Sequence, residues 1–215
     1  MSLFWLRRPH VPLLVLLVAA LLVFPFIERS AVGRSALNLV VVTGVVLSLR
    51  RVRAPSRGVL VVLLCGVVAV TGQILHEAGV PAPSGLVSAL AQTAFYAGAA
   101  LLMCQYMMRD TRATVDELFA AAATYMLMAL AWATAYWSIE YLQPGAFAIT
   151  YPALSDRKTW FEFLYLSMTT LTTTGFGDIA PVSSGARAAV MLEQFVGVLY
   201  VALVISRLAG FAGRK

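Results

Sequence analysis

The stretch TTTGFGD at residues 172–178 decides how this chain folds. Three threonines and two glycines so close together disfavour a helix, because threonine loses side-chain freedom there and glycine loses the most backbone freedom. Gly175 and Gly177 can adopt positive φ angles, which would let successive carbonyl groups point to one side. We therefore predict a non-helical segment whose backbone carbonyls are its main chemical groups.

A short helix is predicted immediately before this stretch. Thr159 and Glu162 have the spacing of a capping box, which marks a helix start. Apolar residues follow as far as Leu171, so the predicted short helix covers residues 159–171. It is too short to cross a bilayer, because a membrane helix needs about 20 apolar residues. The chain is expected to enter the membrane here without crossing it.

Composition places the whole chain in a membrane. Of the 215 residues, 60% are hydrophobic and only 12% are charged, and the mean hydropathy is +0.84. A soluble domain carries about 25% charged residues, so soluble and disordered classes are excluded. The net charge of +6 could suggest a nucleic-acid partner, but the basic residues lie between apolar runs and are better explained by membrane topology. No nucleic-acid partner is expected.

Six apolar runs are predicted to span the bilayer, with the short helix and TTTGFGD between the fifth and the sixth. They are residues 11–27, 36–49, 58–75, 81–108, about 116–141 and 187–210. The expected fold is therefore an all-α integral membrane protein with a re-entrant loop. Residues 1–110 would form a four-helix peripheral domain and residues 111–215 a pore domain.

The distribution of basic residues predicts the orientation. With both termini in the cytoplasm, eleven Lys and Arg residues lie inside and five lie outside, the outside set being Arg29, Arg34, Arg157, Lys158 and Arg187. This asymmetry agrees with the positive-inside rule. The absence of glycosylation sequons and a compact tail favour a bacterial inner membrane as the location.

Non-helical backbone at membrane depth needs a polar partner. Such backbone is tolerated only where it is buried in protein or lines an aqueous cavity. A dehydrated cation would satisfy the carbonyls, and the negative C-terminal end of the short helix would favour a cation at the same place. One chain cannot surround an ion with a single such strand, so four copies around an axis are expected.

The TTTGFGD stretch resembles the selectivity filter of potassium channels, for which TVGYG is typical. The resemblance extends over about residues 112–210 and also fits the six-span tetramers of that family. It implies that potassium ions bind between carbonyls of the filter, that Tyr165 braces the filter from behind and that Asp178 is the acid at its outer mouth. The implied ion sites are formed by Thr173, Thr174, Gly175, Phe176 and Gly177, with Thr172 as a supporting residue.

In the last span, Gly197 matches the hinge glycine of this family, although close helix packing explains a single glycine equally well. Helical spacing after the hinge places Val198, Val201 and Ile205 along an inner cavity. Glu193 lies one turn before Gly197, and a hydrogen bond to the back of the short helix, which corresponds to the pore helix of this family, is favoured over contact with ions. Glu140, Arg157 and Lys158 are expected to be solvated residues at the outer mouth.

Two filter residues differ from the common pattern. Thr174 replaces Val or Ile, and Phe176 lacks the hydroxyl group of the commoner Tyr. A nonselective cation channel is therefore the alternative to a potassium channel. The second, third and fourth runs contain no Arg, Lys, Asp or Glu, so steep voltage gating is not expected.

An enzyme is a further class of membrane protein to compare with the channel interpretation. A rhomboid-type protease would need a Gly-x-Ser-Gly segment, which Ser184 and Gly185 do not complete, and a mid-helix histidine, which neither His10 nor His76 supplies. No catalytic residue and no cofactor are expected. The predicted partners are three further copies of the chain, potassium ions and membrane lipid.

Overall fold

The computed structural model describes residues 10–51, 54–80, 83–109, 115–150 and 158–212. Its elements follow the predicted runs closely. The helices are α1 (Val11–Ile27), α2 (Ala31–Arg51), α3 (Ser56–Glu77), α4 (Ser84–Arg109), α5 (Val115–Leu142), α6 (Trp160–Leu171) and α7 (Ser184–Ala212). Two short strands, β1 (Phe147–Ile149) and β2 (Ile179–Pro181), lie on either side of α6 in the sequence.

Five of these helices, α2 to α5 and α7, are long and apolar enough to cross a membrane. The chain is therefore an all-α integral membrane protein, as the composition predicts. The first predicted span, α1, has the predicted bounds but only 17 residues, with Pro25 inside it. A helix of that length is at the lower limit for crossing the hydrocarbon layer, so this span stays a prediction.

The chain divides into two compact units, residues 1–128 and 129–215. The division falls inside α5. The predicted domain boundary between residues 110 and 111 lies outside the described residues, and the two-domain organisation drawn there stays a prediction.

The first unit contains a network of polar side chains among α2, α3 and α4. Glu77 accepts hydrogen bonds from Arg34 Nε at 3.2 Å and from Ser35 Oγ at 2.6 Å. Gln73 accepts from Asn38 Nδ2 at 2.5 Å and donates to Glu77 Oε1 at 3.1 Å. Because Arg34 and Ser35 have these partners, α2 begins five residues before the predicted span that starts at residue 36.

The second unit consists of the C-terminal part of α5, the two strands, α6 and α7. The strands are antiparallel, with Ala148 opposite Ala180. They close a loop of about thirty residues that contains α6 and the TTTGFGD stretch. This pairing, which has no signal in the short strand sequences, holds the two ends of the re-entrant segment together.

Candidate ion-binding site

The site begins with the short helix α6, whose start follows from local sequence. The Glu162 carboxylate accepts the backbone N–H of Thr159 at 2.6 Å and also the Thr159 hydroxyl, and together these residues form a capping box. The helix ends at Leu171, as predicted, and Thr172 follows as its C-cap. Residues 172–178 then continue without helical structure.

The backbone of this stretch alternates in conformation. The φ angles of Thr173, Gly175 and Gly177 are +59°, +53° and +77°. Thr173 is the only non-glycine residue with a positive φ in the described part of the chain. Such a conformation is rare for a β-branched residue and indicates a backbone held in place by its surroundings. A positive φ therefore recurs at every second residue from 173 to 177.

The backbone amides of the stretch bind back to α6. Thr173 N donates to the Thr170 carbonyl at 3.0 Å, and the amides of Thr174 and Gly175 donate to the Thr169 carbonyl at 2.8 and 3.1 Å. Among the described residues, no donor reaches the carbonyls of residues 173–176. A row of carbonyl oxygens is therefore left available for a ligand, and only a cation or a hydrogen-bond donor can satisfy it.

Side chains behind the stretch support it. The rings of Tyr165 and Phe176 are stacked, with centroids 6.2 Å apart and planes 4° from parallel. The Thr172 hydroxyl donates to the Met168 carbonyl at 2.7 Å and lies 2.9 Å from the Thr174 hydroxyl. The roles of Tyr165 and Thr172 as supports of an ion-binding filter stay predictions.

The C-terminal end of the stretch is attached to the residue that follows β1. Thr150 N donates to the Asp178 carbonyl at 2.8 Å, and the Thr150 hydroxyl donates to the Gly177 carbonyl at 3.4 Å. The Asp178 carboxylate accepts the backbone N–H of Ile179 at 3.0 Å. Asp178 is thereby oriented by its own backbone turn, at the end of the stretch farthest from α6.

Helix α7 packs against α6 through two contacts that are one helical turn apart. Glu193 is fully buried, and its carboxyl oxygens accept hydrogen bonds from Ser167 Oγ, at 2.5 Å, and from the Tyr136 hydroxyl. One turn later, a Cβ atom added to Gly197 would lie only 2.8 Å from Leu171 Cδ2. The predicted hydrogen bond between Glu193 and the back of the pore helix is confirmed. Gly197 has a packing role here, and its role as a hinge stays a prediction.

Comparison with known proteins identifies the family. Residues 118–214 match a family model described as an ion channel. Protein LctB of Bacillus caldotenax is 33% identical over 101 residues, which are 45% of this chain and 72% of that protein. The chain belongs to the ion channel family. No solved structure matches it.

An ion pair near the end of α5 was misinterpreted from the sequence. We expected Glu140 and Lys158 to be solvated residues at the outer mouth. Instead, Lys158 Nζ lies 2.6 Å from Glu140 Oε1, and the two side chains are only 22% and 12% exposed. Glu140 also accepts the amides of Gly145 and Phe147, at 2.9 and 3.1 Å. The pair ties the end of α5 to β1 and to the segment that leads into α6. Arg157, placed with them in the sequence, lies outside the described residues.

Aromatic residues of the channel form a cluster that sequence reasoning also missed. Phe147 lies 5.3 Å from Tyr136 and 5.1 Å from Phe163, measured between ring centroids, and Phe163 lies 5.8 Å from Trp137. These edge-on and tilted contacts join α5, β1 and α6. The aromatic residues on the last two turns of α5 were the available signal, but their partners are distant in the sequence.

The predicted cavity-lining residues lie on the exposed side of α7 in a single chain. Val198, Val201 and Ile205 are 55%, 41% and 59% exposed. Neighbouring residues such as Leu199 and Leu203 are similarly exposed. Exposure in a single chain therefore does not distinguish residues that line a cavity from residues that face lipid. The lining of the inner cavity therefore stays a prediction.

Proposed function

We propose that this ion channel is a potassium-selective channel built from four copies of the chain. The observation that carries the proposal is the backbone of residues 173–177, where positive φ angles alternate and the amides of residues 173–175 are bound to α6. Each chain would contribute the carbonyl oxygens of residues 173–176, which accept no hydrogen bond from the described residues. The Thr173 hydroxyl would add one further oxygen. Four such strands around an axis would replace the water shell of a potassium ion.

Exposure of the filter in a single chain supports assembly around an axis. Residues 172–177 are all exposed, and Phe176 keeps 68% of its surface accessible. Exposed backbone is not tolerated in lipid, because its polar groups would have no partner there. Neighbouring copies and ions would cover this surface.

Conduction in this proposal is an exchange of ligands. An ion enters when carbonyl oxygens replace its water, and it leaves because several similar sites follow one another and neighbouring ions repel. Asp178 would hold negative charge at the outer mouth. Both termini are proposed to lie on the cytoplasmic side of a bacterial inner membrane, where the excess of basic residues places them.

The decisive experiment is a measurement of reversal potentials for the purified channel in planar bilayers. With potassium on one side and sodium on the other, we expect a reversal potential close to the potassium equilibrium value, and rubidium should permeate. Near-equal permeability to sodium and potassium would refute selectivity. It would favour a nonselective cation channel, for which the unusual Thr174 and Phe176 are the available argument. No conduction of either ion would contradict both.

A further inference from the structure

An apolar groove lies between α2 and α3 on the first unit. It has a volume of about 410 Å³ and is open along its length. Leu39 and Thr71 lie toward one end, Arg50 lies at the other, and Val67 is part of the wall. Gly66 forms part of the floor, where an added Cβ would lie 2.8 Å from Val42 Cγ1. The groove is of the size that ligand sites have, about 300–1,000 Å³.

Among the described residues that line the groove, Arg50 is the charged one, and it lies at one end. The Thr43 hydroxyl already donates to the Leu39 carbonyl at 2.7 Å, and aliphatic side chains form most of the remaining wall. Arg50 is exposed and forms no ion pair or hydrogen bond with the described residues. The site therefore matches a molecule with a long apolar part and one anionic group.

The length of the groove and the basic residues near it indicate the class of ligand that it fits. From Leu39 to Arg50 the groove follows α2 for about 16 Å, at about 1.5 Å per residue. Arg50 and Arg51 form the last turn of α2, and Arg57 lies in the first turn of α3. Basic pockets between helices at the cytoplasmic side are suited to anionic headgroups.

We propose that this groove binds one anionic phospholipid of the cytoplasmic leaflet. An acyl chain lies along the groove over Gly66, and Arg50 binds the phosphate. A zwitterionic lipid of equal chain length would fill the groove with lower affinity, because its positive group offsets the attraction. The site belongs to the peripheral part of the chain and requires no particular ion selectivity of the pore.

Native mass spectrometry of the delipidated channel tests the proposal. Phosphatidylglycerol and phosphatidylcholine with identical acyl chains are titrated separately, and dissociation constants are taken from the lipid-bound species. Arg50→Gln is expected to weaken phosphatidylglycerol binding about fivefold to tenfold, as loss of one interfacial charge contact implies. Arg51→Gln is the matched control, since it removes the same charge one residue away, and it should change the constant less than about twofold.

Val67→Trp tests the apolar part, because the indole ring would fill the groove and weaken binding of both lipids. Equal effects of Arg50→Gln and Arg51→Gln would overturn the site in favour of diffuse attraction. Unchanged binding to Val67→Trp would show that the chain lies elsewhere.

A measurement on the unmodified channel avoids dependence on variants that fold poorly. Phosphatidylglycerol with a photoreactive group in its acyl chain is expected to label peptides from residues 39–47 and 63–71. Competition by unlabelled phosphatidylglycerol should remove the label more effectively than phosphatidylcholine does. Labelling spread evenly over all apolar helices would contradict a specific groove.

Discussion

Replacing Gly175 by alanine is expected to abolish conduction without preventing assembly. Gly175 has a φ of +53°, and an added Cβ atom would meet no atom of the chain within 4 Å. The substitution therefore causes no steric clash, and its free-energy cost comes from the backbone conformation alone. A left-handed conformation costs a non-glycine residue about 1–2 kcal/mol. In a tetramer, four copies would pay about 4–8 kcal/mol, which lowers the population of the conducting backbone by about three to six orders of magnitude.

The assay is potassium flux into vesicles that contain equal amounts of purified wild-type or variant channel. Gly185→Ala is the matched control. Its added methyl group also meets no atom within 4 Å, but Gly185 lies in the helical first turn of α7 and has no positive φ. Wild-type flux is expected for this control, and native mass measurement should give the same assembly for both variants. Flux through Gly175→Ala that matches the control would refute the link between backbone conformation and conduction.

Three further predictions concern the supports of the filter and the response to voltage. A double-mutant cycle of Ser167→Ala and Glu193→Leu should give a coupling energy of about 0.5–1.7 kcal/mol in thermal unfolding, because each substitution removes the same buried hydrogen bond; additive effects would contradict it. Glu140→Gln should reduce thermal stability by about 1–3 kcal/mol, since Lys158 would keep a partly buried charge without its partner, and an unchanged unfolding midpoint would count against a supporting ion pair. The conductance–voltage relation should be shallow, because residues 36–49, 58–75 and 81–108 contain no Arg, Lys, Asp or Glu; a curve requiring several gating charges per channel would exclude this.

The sequence predicted most helices because their signals are local. The bounds of α6 were correct to one residue, since Thr159 and Glu162 satisfy each other within one turn and TTTGFGD ends the helix. The start of α2 was placed too late, because Arg34 was read as a boundary although Glu77, distant in the sequence, pairs with it. A charge ends a hydropathy run but does not end a helix when another helix supplies its partner.

The surroundings of the filter were predicted less well. Strands of three residues carry no periodicity, so the pairing of Phe147 with Pro181 could not be read from either segment. The Glu140–Lys158 pair was misread for the same reason, because burial of a charge depends on what covers it in three dimensions. A hydrogen bond between Glu193 and the short helix was predicted without naming its donor, Ser167, since an acid within a membrane helix must find a donor.

The two contacts between α6 and α7 hold one turn of α7 in a fixed position. Glu193 and Gly197 attach one turn of α7 to the helix that carries the filter, whereas the helix continues unbroken to Ala212. The part beyond Gly197 is therefore a lever about 22 Å long, and tilting it by about 10° would displace its tip by about 4 Å. In the proposed tetramer, a bend beyond Gly197 would widen the cytoplasmic end and leave residues 172–178 undisturbed, whereas a rotation of the whole helix would pull directly on Ser167 and Leu171.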